Sequence, residues 1–422
     1  MRIHRWNGWS SADRSCRTQP VLERGHGREV WDTGGRRYLD GIAAAANTPF
    51  GHAHPQLTAV VAEQLSRIAH FDETTADLHR TDELTQALGA VTGMHDIVFV
   101  NSGSEAIEAA LRITFDYWQA RGQHQRDTVI TFERGYHGST ALTQALSALP
   151  ALRGDSTISL RVQHVPLPTR LEASDRSAHE IAVRFAQVIG AAGAERVAAV
   201  IVEPFLNVGG GIVLPPDLLS ELRTVTTAAD TLLIVDEVFT GFGRSGTIFA
   251  TDTMTECPDI LAVSKGMTGG ILPMAAACLH HRIRDAYGNV PLRYGHTNSG
   301  HGLASAAALT TLELLANGGL DQAATAATWF ATTFVPHFTG NSGIVQARSY
   351  GVAGVLECDT AERAHAISAR ALEAGLIVGV KAASVMLTPA LNATHAELDE
   401  MRQLLNHAVT ATYLSSAGSE PC

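Results

Sequence analysis

Short apolar runs alternate with amphipathic segments between about residues 95 and 280. Residues 107–118 carry apolar side chains at i, i+3 and i+4 spacing, which predicts a helix shortly after one such run. Alternating buried strands and helices predict a doubly wound α/β sheet whose strands are mainly parallel. The runs that we interpret as strands are residues 96–100, 128–132, 197–204, 232–236 and 260–263.

The flanking segments are less regular. Residues 29–32 and 37–40 surround a Gly-Gly turn and predict a β-hairpin. Residues 1–29 are polar and rich in arginine, and we expect them to lie over another surface of the protein. Residues 150–180 are irregular, whereas the last hundred mix helix and short strands, which is typical of a smaller α+β domain. Helices are predicted over residues 56–69, 82–91 with Thr81 as the cap, 179–190, 216–229 and 302–315.

Composition narrows the functional classes. The chain has 422 residues, of which 45% are hydrophobic and 17% charged, as in globular proteins. Its net charge of −11 argues against nucleic acid as a partner. The five cysteines show no CxxC spacing, and we find no secretory signal and no metal-binding pattern. Apolar runs of about 18 residues are also missing, so we expect a cytoplasmic protein without a membrane partner.

Two charged side chains follow apolar runs of the predicted sheet. Asp236 ends one run, and Lys265 comes just after the next. Because open α/β sheets bind ligands outside the carboxyl ends of their strands, both residues are expected at one crevice. Such a pair is either an ordinary ion pair or the two ends of a site for pyridoxal 5′-phosphate (PLP). This cofactor needs an amine for its Schiff base and a carboxylate near its ring nitrogen.

Two loops offer groups that suit the same cofactor. Residues 102–104 (Ser-Gly-Ser) precede a predicted helix, whose first N–H groups suit a phosphate. The alternative is that Ser104 and Glu105 simply start the helix. Tyr136 and His137 stand between two glycines at the end of a strand, where the tyrosine either stacks on a planar ring or packs as an ordinary core residue.

Three further features of the sequence bear on the site. Glu203 ends a buried strand at the same sheet edge and either contacts substrate or pairs with an arginine. Thr297 is a loop hydroxyl among glycines and indicates nothing alone. Residues 241–246 match GxGxxG, but the Thr-rich sequence that follows contains Pro258 and does not open a long helix, so a nicotinamide site is rejected. No GxxxxGK[ST] phosphate loop occurs.

Together these motifs resemble the class III (ω-type) PLP-dependent aminotransferases of fold type I. The resemblance implies a large α/β domain with a mainly parallel sheet of the seven-stranded type, and a smaller α+β domain built from both chain ends. The corresponding boundaries are residues 1–55 (part of the small domain), 56–305 (large domain) and 306–422 (small domain). The matching motifs are GHAHP (51–55), SGSEA (102–106), GYHG (135–138), VEP (202–204), DEVFTGFGRSG (236–246), PDILAVSKGMTGG (258–270), GHTNSG (295–300) and LTP (387–389).

The resemblance also implies a role for each motif. Lys265 would carry the cofactor as a Schiff base and later move a proton, while Asp236 would pair with the ring nitrogen. Tyr136 would stack on one face of the ring and Val238 would pack against the other. The other implied cofactor-binding residues are Ser102, Gly103 and Ser104 at the phosphate, Thr297 from the neighbouring subunit, His137 and Glu203. Sharing Thr297 in this way implies a homodimer.

Departures from the family pattern bear on the substrate. Met386 stands where many members have an arginine for substrate carboxylates, and Ser139 stands where γ-aminobutyrate- and ornithine-type members often have one. Ala43–Ala46 replaces a Trp-Trp segment of the otherwise similar diaminopelargonate-type members, and Asn298 replaces a usual aromatic residue. We therefore expect a substrate pocket that is roomier and less aromatic than in those members and that lacks both of these carboxylate-binding arginines. The candidate pocket residues are Asn47, Ser139, Glu203, Asn298 and Met386.

We therefore predict an aminotransferase that moves an amino group between an amine or ω-amino compound and a carbonyl acceptor by a ping-pong mechanism. An amine, amino-polyol or other bulky substrate is expected, in a specialised biosynthetic pathway. Glu203 is expected to face a substrate amine, a water molecule or His137. An aminomutase or a decarboxylating transaminase of the same family is the alternative, and a non-catalytic PLP-binding protein is a more distant one.

Overall fold

The apolar runs of the sequence form the middle of a seven-stranded sheet in the computed structural model. The structure describes residues 19–149, 152, 159–168 and 175–417. Most of the polar N-terminal segment and part of the irregular stretch at 150–180 therefore lie outside the described residues. The strands are β1 (Leu22–His26), β2 (Glu29–Asp32), β3 (Arg37–Asp40), β4 (Asp96–Val100), β5 (Thr128–Phe132), β6 (Arg161–Val165), β7 (Val197–Val202), β8 (Phe205–Leu206), β9 (Ile212–Val213), β10 (Leu232–Asp236), β11 (Ile260–Val263), β12 (Ala275–Leu279), β13 (Ile344–Ser349), β14 (Gly354–Cys358), β15 (Leu376–Ile377), β16 (Gly379–Lys381) and β17 (Ser384–Leu387).

Helices cover both faces of this sheet and continue into the C-terminal part. Two of the segments are of the π type, Leu315–Gly319 and Phe330–Phe334, and they interrupt one long helical stretch. The α-helices are Pro55–Arg67, His79–Thr92, Gly103–Ala120, Ala141–Leu146, Asp175–Ala192, Leu218–Ala228, His281–Tyr287, Gly302–Leu314, Leu320–Trp329, Val335–Phe338, Ala361–Glu373 and His395–Ala417, and the short 3-10 turns are Ala194–Arg196, Ala250–Thr253 and Lys265–Thr268. Ala43–Ala46 forms a single helical turn whose residues all have positive φ.

The large sheet has the strand order β4-β12-β11-β10-β7-β5-β6. All its neighbours pair in parallel except β12, which is antiparallel to both β11 and β4. Every residue of β7, β10 and β11 is buried, as expected for strands covered on both faces. The predicted α/β class with a mainly parallel sheet is confirmed.

Register in this sheet places the two charged residues of the sequence motif side by side. Asp236 of β10 is the pairing partner of Ala262 in β11, and Lys265 follows three residues later. Glu203 directly follows β7, the other neighbour of β10. Three adjacent parallel strands therefore end at one edge of the sheet with an acid, an acid and an amine.

The two ends of the described chain are joined by strand pairing. Strand β15 pairs in parallel with β3 and thereby extends the predicted hairpin of β2 and β3. Strands β13, β14, β17 and β16 form a separate antiparallel sheet. This pairing agrees with a smaller domain built from both chain ends, while the boundaries at residues 55 and 305 stay a prediction.

Some local predictions were wrong. Thr81 is not a cap, because the helix already begins at His79, and the Thr81 hydroxyl donates to the carbonyl of Gly300 (2.7 Å). Residues 161–165 form strand β6 rather than irregular structure, and 275–279 form the unpredicted strand β12. The helix predicted at 302–315 is continued by further helical segments as far as Phe338.

The continuous helical stretch Gly302–Phe338 is long and apolar enough to cross a membrane by length and composition alone. Half of its most apolar window is buried inside the fold, where it packs on the helices Pro55–Arg67 and His79–Thr92. Core helices of soluble proteins pass the same test.

Candidate active site at the carboxyl edge of the sheet

Lys265 lies in the floor of a cavity of about 190 Å³ at this sheet edge. Its backbone has φ of 44°, in the left-handed region that a side-chain-bearing residue adopts at some energetic cost. Burial lowers the pKa of the Lys265 amine, although the nearby Asp236 and Glu203 oppose this shift. A lysine in this state is nearer to the neutral form that acts as nucleophile and base.

Asp236 is held in place by two hydrogen bonds. Its Oδ1 accepts the backbone N–H of Val238 (3.0 Å), and its Oδ2 lies 2.9 Å from Nδ1 of His137. The other ring nitrogen of His137 lies 3.0 Å from the Thr131 hydroxyl. Asp236 and His137 are both buried, so the carboxylate is fixed in one orientation inside the cavity.

Glu203 is a buried carboxyl on the next strand end. Its Oε1 accepts the backbone N–H of Tyr136 (2.9 Å), and the backbone N–H of Asn207 is a second donor. Burial, followed by repulsion from Asp236, raises the pKa of Glu203 well above its usual value. The expected contact with His137 is not made, because His137 is engaged by Asp236 and Thr131.

The loop at 102–104 forms the N-terminal end of the helix Gly103–Ala120. The Ser102 hydroxyl accepts the N–H of Glu105 (3.3 Å), and the Glu105 carboxylate accepts the N–H of Asn101 (2.7 Å). The cap is therefore Ser102 rather than Ser104. The first intrahelical bond is Ala106 N–H to Ser102 O (3.0 Å), which leaves the N–H groups of residues 103 and 104 at the positive end of the helix.

Tyr136 and Val238 line the same cavity as Lys265 and Asp236. Burial raises the pKa of the Tyr136 hydroxyl, which hydrogen-bonds to Ser139. A Cβ placed on Gly103 would lie 2.7 Å from Cγ1 of Val238, so only glycine leaves room for both the loop and the valine. The backbone at residue 103 can consequently approach a ligand that rests against Val238.

These groups fit PLP. A buried carboxylate lies beside an amine for which the described residues offer no hydrogen-bond or ion-pair partner, and unsatisfied helix N–H groups face the same space. A planar ring between Tyr136 and Val238 would place its nitrogen toward Asp236 and its phosphate toward residues 102–104. The residues that would hold the cofactor are Ser102, Gly103, Ser104, Tyr136, His137, Asp236, Val238 and Lys265.

The predicted substrate residues fall on different sides of Lys265. Asn47 lines a second opening, which shares residues 102, 103, 264 and 265 with the cavity. Met386 packs in an apolar cluster with Ala46, Phe205 and Phe239. Phe239 also lines the cavity, and its ring centroid lies 5.9 Å from the Lys265 amine. An aromatic wall is thus present after all, although it does not come from residues 43–46.

Thr297 and Asn298 do not reach the cavity of their own chain. Both are exposed, and the carbonyl of Thr297 lies 2.6 Å from Nε2 of His70. Ser139 is also exposed, at the edge near Ser104, whose hydroxyl accepts its N–H (3.1 Å). The structure therefore brings together the residues assigned to the ring and to one side of the phosphate, but not the pair at 297–298.

The GxGxxG segment serves the architecture of the site. Glu237 is fully buried and accepts four hydrogen bonds, two from backbone N–H groups of residues 250 and 251 and two from hydroxyls. Arg244 donates to the carbonyls of Val352 and Pro389 (2.8 and 2.6 Å). The segment that follows Asp236 is thereby tied to the C-terminal part. Gly243 and Gly246 have φ of 93° and 94°, so the turn itself requires glycine there and no dinucleotide is needed to explain them.

Sequence reasoning missed Thr131, Asn207 and Phe239. Phe239 belongs to the same motif as Asp236 and follows it by three residues, so the motif itself was a signal for this residue. Thr131 and Asn207 lie close in sequence to the residues they contact, His137 at six positions and Glu203 at about four. The sequence spacing alone does not show that these turns bring the paired groups together.

Comparison with known proteins gives consistent similarities. The family model described as "Aminotransferase class-III" matches residues 11–409. A putrescine–pyruvate aminotransferase of Pseudomonas aeruginosa is 32% identical over 70% of this chain and 67% of its own length. An adenosylmethionine-8-amino-7-oxononanoate aminotransferase of Aquifex aeolicus is 30% identical over 70% of this chain and 68% of its own. The crystal structure of an amine transaminase from an uncultivated Pseudomonas species, in its PLP-bound form, superposes with a TM-score of 0.93 at 28% identity and covers 98% of this chain and 99% of that one.

Proposed function

We propose, since this chain belongs to the class III aminotransferase family and is a PLP-dependent transaminase, that it exchanges an amino group between an amine or ω-amino compound and a carbonyl acceptor by a ping-pong mechanism. The observation that supports this proposal is the cavity in which a buried acid and an amine end neighbouring strands beside a helix N-terminus. Such a site suits a cofactor that is loaded with an amino group in one half-reaction and unloaded in the next.

PLP supplies the electron sink that stabilises negative charge at the substrate carbon. Lys265 would bind the cofactor and, once displaced by the substrate amine, remove and return the proton at the amine-bearing carbon. Its lowered pKa favours this role because a neutral amine is needed to accept the proton. Lys265 directly follows Ser264 and has a strained backbone conformation. Such a conformation persists only where the surrounding structure determines it, so the Lys265 side chain enters the cavity from a defined position.

Asp236 would hold the proton on the cofactor ring nitrogen. His137 and the N–H of Val238 fix its two oxygens, so the carboxylate does not have to reorganise when charge develops. Glu203 would act as a positioning residue. Its carboxyl orders the turn at Tyr136 by accepting the backbone N–H of that residue, and burial together with repulsion from Asp236 raises its pKa.

We also propose that the enzyme works as a homodimer with shared active sites. Thr297 and Asn298 are exposed and lie outside their own cavity, so they are available to a neighbouring copy. Apolar side chains near them are exposed as well, namely Ile68, Phe71 and Leu292 with 41%, 45% and 36% of their surface accessible. Such residues are typical of a surface that is covered in the assembly.

A half-reaction assay tests the proposal. Purified holoenzyme is mixed with a panel of primary amines and ω-amino acids, and conversion of the cofactor to its aminated form is followed by absorbance. An active donor is expected to convert one cofactor per site without an acceptor, and a later addition of pyruvate is expected to restore the original spectrum.

The Lys265→Ala variant is the control for this assay. We expect it to lose the lysine-bound cofactor absorbance and to lower the half-reaction rate by at least about 10³-fold, as for loss of a general base and nucleophile. Isomerisation of the amine or release of CO₂, with no cofactor conversion by any donor, would show that the transaminase proposal is wrong.

A further inference from the structure

The chain contains only two lysines. Of its 31 lysine and arginine residues, Lys265 and Lys381 alone are lysine, and all the others are arginine. The first of them is the residue assigned to the cofactor. The second lies more than a hundred positions later in the sequence, in strand β16 of the C-terminal sheet.

Strand pairing places Lys381 on the sheet face that borders the same site. In the antiparallel pair of β16 and β17, Gly379 faces Met386 and Lys381 faces Ser384. Cross-strand partners and residues two apart share one face of a sheet, so Lys381 lies on the face of Met386. The intervening Val380 and Val385 point the other way, into the main core.

The Met386 face borders the catalytic cavity. Met386 packs with Phe205 and Phe239, and Phe239 lies beside the Lys265 amine. The positive charge of Lys381 also reaches the site, because it helps to lower the pKa of Lys265. The apolar side chains of Phe239 and Met386 thus form an apolar wall on the side of the Lys265 amine that faces Lys381.

Within the described part of the chain, Lys381 has no ion pair and no hydrogen-bond acceptor of its own. It is nevertheless partly buried, and this burial lowers its pKa without any opposing carboxylate. The nearby Arg348 differs, because it is bound by the carbonyls of Gly210 and Gly211 (2.8 and 2.7 Å) and by Glu357. Lys381 is therefore a partly buried cation that no described carboxylate neutralises.

We propose that Lys381 binds the carboxylate of the substrate, at the end of the molecule opposite to the reacting amine. The substrate class is then an ω-amino carboxylate, or the corresponding carbonyl acid, whose alkyl chain lies along Phe239 and Met386. This inference rests on the proposed transaminase function. Lys381 would also supply the carboxylate-binding group that positions 139 and 386 lack. The family resemblance did not indicate a role for this residue.

A lysine suits this place for a physical reason. An ammonium on a four-carbon chain is a compact charge with three rotatable donors, so one residue can follow carboxylates at somewhat different depths. The guanidinium of an arginine would need more width in the apolar wall. Lysine retained here, in a chain that otherwise uses arginine, agrees with a requirement of the pocket.

The first test compares amine donors that have a carboxylate with donors of the same carbon number that lack one. Half-reaction rates of the holoenzyme are measured with β-alanine, 4-aminobutanoate and 6-aminohexanoate, and with propylamine, butylamine and hexylamine. In Lys381→Met, kcat/KM for the best amino acid is expected to fall roughly ten- to hundredfold, as for loss of a charged hydrogen bond, through KM more than kcat. Rates with the matched amine are expected to fall much less than those with the amino acid, so that the ratio between the two donors changes, and Lys381→Arg is expected to recover part of this ratio.

Arg134 is the matched comparison for this series. Its Nη2 lies 2.9 Å from where a Gly210 Cβ would be, at the same turn that meets Ala382, next to Lys381. Arg134→Gln is expected to change the preference for amino acids by less than about threefold. If Arg134→Gln removes the preference while Lys381→Met keeps it, the assignment to Lys381 is overturned.

The second test does not depend on turnover. Borohydride reduction fixes the cofactor on Lys265, so Lys381 becomes the only lysine that acetic anhydride can acetylate, and peptide masses report its rate. Hexanoate is expected to slow this acetylation at least about fivefold, whereas hexanol at the same concentration is expected to leave it unchanged. Equal rates with both would overturn the inference.

The two tests separate the two failures. If amino acids and amines both convert the cofactor but Lys381→Met keeps the ratio between them, the Lys381 assignment fails and the transaminase function stands. If no donor converts the cofactor while hexanoate still protects Lys381, the anion site stands and the proposed reaction fails.

Discussion

At the residue scale, the chemistry of the site follows from where charged side chains meet the ends of buried strands. The sequence predicted Asp236 and Lys265 as candidates, because Asp236 ends one run that must be buried on both faces and Lys265 comes shortly after the next. The structure places both at one cavity, and their catalytic roles stay a prediction. The partners of these residues were not predictable. His137 reaches Asp236 across 99 positions of sequence, and the raised pKa of Glu203 results from burial that only the folded chain produces.

Glu203 gives a prediction at this scale. The pKa of Glu203 is raised in the folded state, so the folded protein favours the protonated carboxyl. The resulting contribution to stability is fully present when the pH is below the ordinary pKa of 4.5, and it is lost as the pH rises through the raised pKa. Glu203→Gln cannot ionise. In the cofactor-free protein, we expect its melting temperature relative to wild type to increase steadily as the pH is raised above 4.5.

Below pH 4.5 the same variant is expected to be less stable than wild type by about 1 kcal/mol. Glu203 accepts the N–H groups of both Tyr136 and Asn207. Glutamine replaces one carboxyl oxygen by an NH2 group that cannot accept, whereas the hydroxyl oxygen of a protonated carboxyl still can. Thermal unfolding followed by circular dichroism across a pH series measures both effects. A constant difference between variant and wild type at every pH would contradict the raised pKa.

At the element scale, the sequence predicted the hairpin of β2 and β3, the central strands and most helices to within a few residues. It failed where an element depends on distant contacts. Strand β12 is made of alanines and small residues that also suit a helix, and only pairing with β4 and β11 selects the extended form. Thr81 looked like a cap, but its hydroxyl is used by Gly300 of a remote loop.

The turn at Ala43–Ala46 is a further element that the sequence did not reveal. All four alanines have positive φ, between 43° and 64°, so they form a left-handed turn. The Asp40 carboxylate stabilises its start by accepting the N–H groups of Ile42 and Ala44 (3.1 and 2.9 Å). Alanine normally favours the right-handed helix, and tertiary contacts therefore select this conformation.

This turn is testable at Ala45, which has φ of 64° and an exposed side chain. Ala45→Val is expected to destabilise the protein by about 1–2 kcal/mol, because a β-branched side chain tolerates the left-handed region poorly. Ala45→Gly is expected to be neutral or slightly stabilising, since relief of strain is offset by a more flexible unfolded chain. Urea unfolding of both variants measures this difference, and equal stabilities would show that the turn is not left-handed in solution.

At the scale of the whole molecule, the order of the strands decides which residues share a site. The pairing of β7, β10 and β11 collects Glu203, Asp236 and Lys265, which the sequence separates by tens of residues. The general rule for parallel sheets predicts this meeting. The approach of β16 to the same site was not predictable, because it depends on how the C-terminal sheet rests on the large one, and Lys381 was therefore missed.

The proposed dimer belongs to this scale. Phe71 and Leu292 are large, exposed and apolar, and the hydrogen bond from His70 to the loop of Thr297 connects their segments. In the proposed dimer a second copy would cover this surface, and Thr297 would be shared with the partner's site. The double variant Phe71→Glu, Leu292→Glu places two carboxylates in that interface, where unpaired charge is unfavourable.

We expect this double variant to have the mass of one 44.8 kDa chain by light scattering at micromolar concentration, and wild type to have twice that mass. Because each site would then lack Thr297 from its neighbour, PLP retention during gel filtration is expected to fall at least about tenfold. Leu414→Glu is the matched control, since Leu414 is exposed to 66% but lies on the C-terminal helix, distant in sequence from these segments. A double variant that stays dimeric would place the interface elsewhere, and a monomer that keeps PLP as tightly as wild type would show that each site is complete within one chain.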